Sequence, residues 1–243
     1  YRAKYFTWDW MDLDTARDTI DRGRIEFAKY MESYDFRQLM DALEFLRASG
    51  GVPRDAADRL ERELFLPALT EIADSRMDLL CRQTTITFTA LSGGLLYNNP
   101  PLAAFASASP FGYRSLLKWG ATADGVCHGH GYGQNHFAAN LLMMADLMDR
   151  FGLNVFDPDL KRLVDASWRW SSPMNPNAAS DILAIAARHW PDPAYRLYAR
   201  KTLMETEPPA PLPGMSETGP WASVNFPHSG LSILRRPDGM GGT

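Results

Sequence analysis

Cysteine is scarce in this chain: Cys81 and Cys127 are the only two in 243 residues. That is too few for the disulfide framework that staples small secreted domains, although it permits one bridge. No apolar run reaches the ~18–20 residues that a helix needs to span a bilayer. A cationic excess is missing as well. Lysine and arginine number 25 against 29 aspartates and glutamates, a formal net charge of −4, which leaves no global electrostatic footprint for nucleic acid. What is present is an ordinary globular composition, 45% apolar and 22% charged. It excludes a disordered tail, a collagen-like chain and a long charged coil. A chain of this length can bury one sizeable core, or one domain and the start of another. It opens at Tyr1 and closes on Gly241-Gly242-Thr243, and reads as a fragment of a longer protein.

Helical periodicity dominates the first 206 residues. Apolar spacing predicts helices over Leu13–Met31 and over Asp35–Ala48, the second with Phe36, Leu39, Met40, Leu43 and Leu46 on one stripe. A third runs from Asp55 toward Ser75, with a kink expected at Pro67. Thr84-Thr85-Ile86-Thr87-Phe88-Thr89 carries β-branched residues that favour strand. The stretch Met77–Leu96 is nevertheless long and flanked by helices, so a buried helix is the reading adopted. Short helices follow at Leu102–Ser107 and Gly112–Trp119, then a Gly-rich loop over Gly120–Gly133. Asn135–Arg150 reads as helix with a core stripe of Phe137, Leu141, Met144, Ala145 and Met148. Further helices are expected from Pro158 to Trp170, Ala178 to His189 and Pro193 to Glu205. Residues 207–221 are a Pro-rich linker. Ala222–Phe226 and Leu231–Leu234 read as two short strands around a turn at Pro227–Gly230. The chain is thus mainly α, with a helical domain over 1–206 and the start of a β-sheet domain over 222–243. Paired helices with short turns suit an α/α toroid or a helical bundle.

Three of the five histidines fall within nine residues, in Asp124-Gly125-Val126-Cys127-His128-Gly129-His130-Gly131-Tyr132-Gly133-Gln134-Asn135-His136. Glycines allow close backbone approach and positive φ, and the loop feeds a helix N-terminus, which favours anions. Cys127, His128, His130 and His136 resemble metal ligands, but neither HExxH nor CxxC spacing is present, and no metal or other cofactor is assigned. A hydrogen-bonded turn without chemistry is a second reading. The third is acid–base work on a bound polar substrate, for which imidazole and phenol are suited.

Asp124-Gly125 followed by His128 and His130-Gly131, just before a long helix, resembles the loop of heparinase II/III-like polysaccharide lyases. The upstream order is similar: Arg82-Gln83 on a long helix, Gly93, a Pro turn and Gly112. Downstream, Phe226-Pro227-His228-Ser229-Gly230-Leu231-Ser232-Ile233-Leu234-Arg235-Arg236 is similar to the first strands of that family's β-sheet domain. The likeness covers roughly residues 60–240. It implies an incomplete (α/α) toroid followed by the first strands of an antiparallel β-sheet domain, and β-elimination on uronic-acid-containing polysaccharides. It implies an acidic polysaccharide or oligosaccharide as partner, not nucleic acid or membrane, and a periplasmic or secreted location.

In such chemistry a side chain neutralises the uronate carboxylate, a base removes the adjacent proton, and an acid protonates the leaving oxygen. Carried over by position, Tyr132 and His136 take the acid/base place and His130 orients or relays. Arg82, Gln83 and Asn135 bind the carboxylate, with Cys81 standing where the family has Asn. His128 and Trp119 line the substrate site. A glycoside hydrolase on an α/α barrel, which needs two carboxylates across a cleft, and an inactive carbohydrate-binding relative are the alternatives. Tyr5, Phe6, Trp8 and Trp10 form an aromatic cluster that suits either core or a sugar groove. Trp168, Trp170 and the methionines Met143, Met144 and Met148 read as core, and His189 and His228 as structural.

Overall fold

The computed structural model describes residues 29–74, 80–128, 132–170, 180–192, 195 and 223–234. The expected helix before residue 29, the aromatic cluster at 5–10, the helix after 195 and the Pro-rich linker lie outside the described residues, as do the side chains of Trp168 and Trp170. The described chain is mainly helical and carries one two-stranded antiparallel sheet. It divides into two compact units, Tyr1–Leu116 and Leu117–Thr243, each treated by itself below.

The first unit holds α1 (Lys29–Ser49), α2 (Arg54–Leu60), a π-helical turn (Glu61–Phe65), α3 (Leu66–Ala73), α4 (Leu80–Leu96) and α5 (Pro100–Ala108). Helix α6 (Tyr113–Trp119) begins in it. The break expected between Met31 and Asp35 is not there. Helix α1 runs through it, with Glu32 and Ser33 buried and the Ser33 hydroxyl donating to Lys29 O at 2.7 Å. Pro67 sits in the first turn of α3, directly after the π turn. A proline there has no N–H for the carbonyl one turn back, and a local widening of the helix accommodates that loss. Pro100 and Pro101 open α5, with the Asn99 side chain accepting from Leu102 N at 3.2 Å. The helix therefore starts two residues before Leu102, because proline suits the first helical positions.

Helix α4 resolves the strand-or-helix question in favour of helix. Residues 83 to 94 are all buried, so α4 is the central element of this unit. Its hydroxyls survive burial by donating to carbonyls of the preceding turn: Thr84 to Cys81 O at 2.7 Å, Thr87 to Gln83 O at 3.0 Å, Thr89 to Thr85 O at 3.0 Å. Thr87 also reaches Phe111 O at 2.8 Å, and Thr89 reaches Ser33 O at 3.0 Å, which ties α4 to its neighbours. Phe36 meets Phe65 edge to face at 6.0 Å within the core of Met40, Leu69, Ile72, Ile86 and Leu91. The stripe expected on α1 is only partly buried. Phe36, Met40 and Leu43 are covered, while Leu39 and Leu46 remain 47% and 42% exposed, because the packed face of α1 is narrower than the periodicity suggests.

The second unit holds α7 (Tyr132–Arg150), α8 (Pro158–Trp170), α9 (Ser180–His189), β1 (Val224–Phe226) and β2 (Leu231–Ile233). All five expected core residues of α7 are buried, from Phe137 to Met148. Asp157 caps α8 by accepting from Leu160 N at 2.9 Å, with Pro158 first in the helix. Strands β1 and β2 pair Val224 with Ile233 and Phe226 with Leu231. Phe226, 3% exposed, packs with Val126 and Ala166. Asp146 of α7 accepts from Arg150 at 2.7 Å, Arg188 at 2.9 Å and His189 Nε2 at 3.2 Å, which joins α7 to the end of α9. The His189 ring also stacks on Phe156 at 3.5 Å. His189 thus holds the structural, helix-terminal place expected of it. Burial acts to raise the Asp146 pKa, but the bonds from Arg188, His189 and Arg150 outweigh it and hold the carboxyl below its ordinary range.

A Cβ on Gly94 would stand 2.5 Å from Ala103 N and 2.9 Å from Ala103 Cα. Backbone cannot yield as a flexible side chain does. Gly94→Ala is therefore expected to cost about 2–3 kcal/mol, read as a lower denaturant midpoint at unchanged m-value.

Candidate functional site

The motif segment Gly120–His128 is an ordered hairpin loop. Ala121 bridges Cys127, Thr122 N donates to Val126 O at 2.8 Å, and Gly125 N donates to Thr122 O at 2.9 Å. His128 N closes the far end on Gly120 O at 3.0 Å. This is a three-residue hairpin loop ending on a glycine, with φ +83° at Gly125. Gly125 is required twice over, because a Cβ there would also stand 2.4 Å from Arg162 O on α8.

Two polar side chains hold this loop. Gln134, fully buried in the first turn of α7, accepts from Cys127 N at 2.5 Å and donates to Gly125 O at 3.2 Å. Its amide thus gives each of these two backbone groups a hydrogen-bond partner. Asp124 accepts from the Thr122 hydroxyl on one oxygen. On the other it accepts from His228 N at 2.8 Å and Ser229 N at 3.1 Å. The carboxylate thus receives the turn between β1 and β2, a tie across 104 residues of sequence. Burial acts to raise the pKa of Asp124, but the Thr122 hydroxyl and the Ser229 and His228 amides outweigh it and hold the carboxyl below its ordinary range.

The expected site residues fall into both units. Arg82 and Gln83 belong to α4 of the first. The Arg82 guanidinium lies over the Tyr30 ring at 4.7 Å. Gln83 is 1% exposed, with its amide 3.5 Å from Thr87 Oγ1. The loop and α7 belong to the second unit. His128 is exposed at the end of the hairpin loop, and His136 is half-buried on α7. Burial lowers the pKa of His136, which keeps the imidazole uncharged at neutral pH. Trp119 closes α6 with 69% of its surface exposed and the Lys118 ammonium 4.5 Å from its ring centroid. Tyr132 and Asn135 lie in the first turn of α7; their side chains, like His130 as a whole, lie outside the described residues. His228 holds the structural place expected of it, through its backbone N–H.

Spacing alone did not single out Gln134 as the loop clamp or Asp124 as the anchor of the strand turn. The Asp-Gly dipeptide was the available signal, since it marks a hairpin turn; the partner of the carboxylate carries none. Among the described residues, no three His, Cys, Asp or Glu side chains group as metal ligands, and no helix is long and apolar enough to cross a membrane.

Compared with models of protein families, with curated proteins and with solved structures, the chain matches none of them.

The Asp124 pKa is depressed in the folded state, so the stabilisation it supplies is complete above the ordinary carboxylate pKa of ~3.9 and is lost as pH falls through the lower folded value. Amide exchange at His228 and Ser229 is expected to accelerate across that acid range, and Asp124→Asn to remove most of this pH dependence at a cost of about 1 kcal/mol. Gly125→Ala is expected to be worse, at about 3 kcal/mol or more, because positive φ and a backbone clash coincide; thermal denaturation of both variants checks the order.

Proposed function

We propose that the chain is part of a heparinase II/III-like polysaccharide lyase, an (α/α) toroid with attached β strands that cleaves acidic polysaccharide by β-elimination outside the cytoplasm. The observation that carries this reading is the tie between the two segments on which the resemblance rests. The Asp124-Gly125 loop and the Pro227–Gly230 turn, remote in sequence, are joined by the Asp124 carboxylate.

In the proposed reaction a base removes the proton at C5 of the uronate. The C4–O4 bond breaks, a C4=C5 double bond forms, and an acid protonates O4 as it leaves. His136 suits the base, because burial favours its neutral form. Tyr132 is the proposed acid and His130 the orienting or relaying group. Arg82 and Asn135 are assigned to the substrate carboxylate, whose neutralisation stabilises the enolate-like transition state; Gln83, which the resemblance adds to them, is 1% exposed and covered from a substrate. His128 and the exposed Trp119 are assigned to sugar contacts.

Asp124 weighs against the hydrolase alternative. A glycosidase acid needs a raised pKa, whereas Asp124 is held ionised by the bonds that anchor the turn. A non-catalytic carbohydrate-binding relative is the second reading, favoured by the burial of Gln83 at 1% exposure.

Incubation with uronate polymers is expected to generate the ultraviolet absorbance of an unsaturated uronate, with loss of about 100-fold or more in His136→Ala. Arg82→Ala is expected to lower turnover by about tenfold or more through the lost carboxylate contact. Binding without any absorbance change selects the non-catalytic relative.

A further inference from the structure

Two grooves flank the hairpin loop within the second unit, and neither belongs to the acid/base set above. One, of about 270 Å³, runs between α8 and β1. Its floor is Ala166 and Phe226, and its rim carries Lys161, Arg169 and Asn225. The other, of about 280 Å³, is lined by Lys118, Thr122, Asp159 and Leu163. Arg162 lines both.

The acids of these grooves are already engaged. Asp124 accepts from Thr122, His228 and Ser229. Asp165 accepts from the Tyr195 hydroxyl at 2.5 Å and pairs with Lys161 at 3.0 Å. Asp159 pairs with Arg162, and here both side chains are open to solvent, at 58% and 46% exposure. An exposed pair of this kind contributes little, so a carboxylate arriving on a ligand can take the place of Asp159. A guanidinium accepts a carboxylate through two parallel N–H···O bonds. The apolar floor beside cations and an amide suits a sugar ring that carries a carboxylate. Lys118, which lines the second groove, stands 4.5 Å from the centroid of the Trp119 ring; that ring is 69% exposed, an apolar surface of the kind on which a sugar packs.

We propose that the two grooves form one binding track for the carboxylates of an acidic saccharide, with Arg162 as the cation shared between them and Asp159 as its displaceable partner. The choice of uronates rests on the lyase reading. The track itself rests on the grooves and on the exposed ion pair.

The test is calorimetric titration of the intact chain with tetramers of galacturonate, mannuronate and guluronate, and with the methyl ester of each. Arg162→Gln is expected to weaken binding of the acid tetramers about five- to tenfold. Asp159→Asn is expected to tighten it about two- to fivefold by removing the competing carboxylate. A role that was only structural would not produce that opposite sign. Folding is preserved in Arg162→Gln because the contact with Gly125 uses the Arg162 backbone carbonyl, not its exposed side chain; an unchanged melting temperature verifies this. The proposal is overturned if wild type binds none of the acid tetramers, if the esters bind equally well, or if both variants bind like wild type. The lyase reading is scored separately by unsaturated product. Product with unchanged affinity in both variants removes the track and leaves the lyase. Opposite shifts in affinity without product keep the track and remove the lyase.

Discussion

The Asp124 carboxylate takes the Thr122 hydroxyl on one oxygen and the His228 and Ser229 amides on the other. Much of the second unit depends on this arrangement. A strand pair of three residues a side is too short to stand alone in water. It persists here because its turn is bonded to an anion and its Phe226 is buried against Val126 and Ala166. The same carboxylate orders the hairpin loop from within, through Thr122. The loop is then pinned from behind by Gln134 and seated on α8 by the absence of a side chain at Gly125. Polar bonds give the direction and burial gives the larger share of the holding force.

The two units solve the burial of polar atoms differently. In the first, α4 buries four threonines and returns hydroxyls to carbonyls of its own preceding turn, and two of them, Thr87 and Thr89, also reach the carbonyls of Phe111 and Ser33. In the second, charge does the joining: Asp146 gathers Arg150, Arg188 and His189 from two helices. A loop carried by such a framework holds its shape before any ligand arrives, which lowers the ordering cost of binding. That is the physical connection between the packing of α7 to α9 and the acid–base role proposed for the helix that follows the loop.

Much of the fold was legible in the residues. The stripe from Phe137 to Met148 is strictly helical in spacing and is buried as expected. The alternation around Pro227–Gly230 marked a strand pair, and Asp157-Pro158 marked a helix start. Other features were not legible, for identifiable reasons. The unbroken α1 depends on burial of Glu32 and Ser33, which polar residues do not advertise. The exposure of Leu39 and Leu46 depends on how wide a face the neighbouring helix covers. In the candidate site, the clustering of His128, His130 and His136 was visible as composition. The uncharged state favoured for His136 comes from its burial, which no local spacing encodes.

The sequence by itself determined most of the described helices, the Asp-Gly turn and the inventory of groups able to do acid–base chemistry, because each depends on residues within a turn or two of one another. The tertiary structure alone decided that Asp124 serves as an anchor, that Gln134 serves as a clamp, and that Arg162 stands between two grooves. These roles are set by partners 7, 104 and 105 positions away or by cavities shared between elements. A carboxylate or an amide carries the same local signal whether it faces water, a ligand or a distant backbone N–H; only the packed chain selects among them.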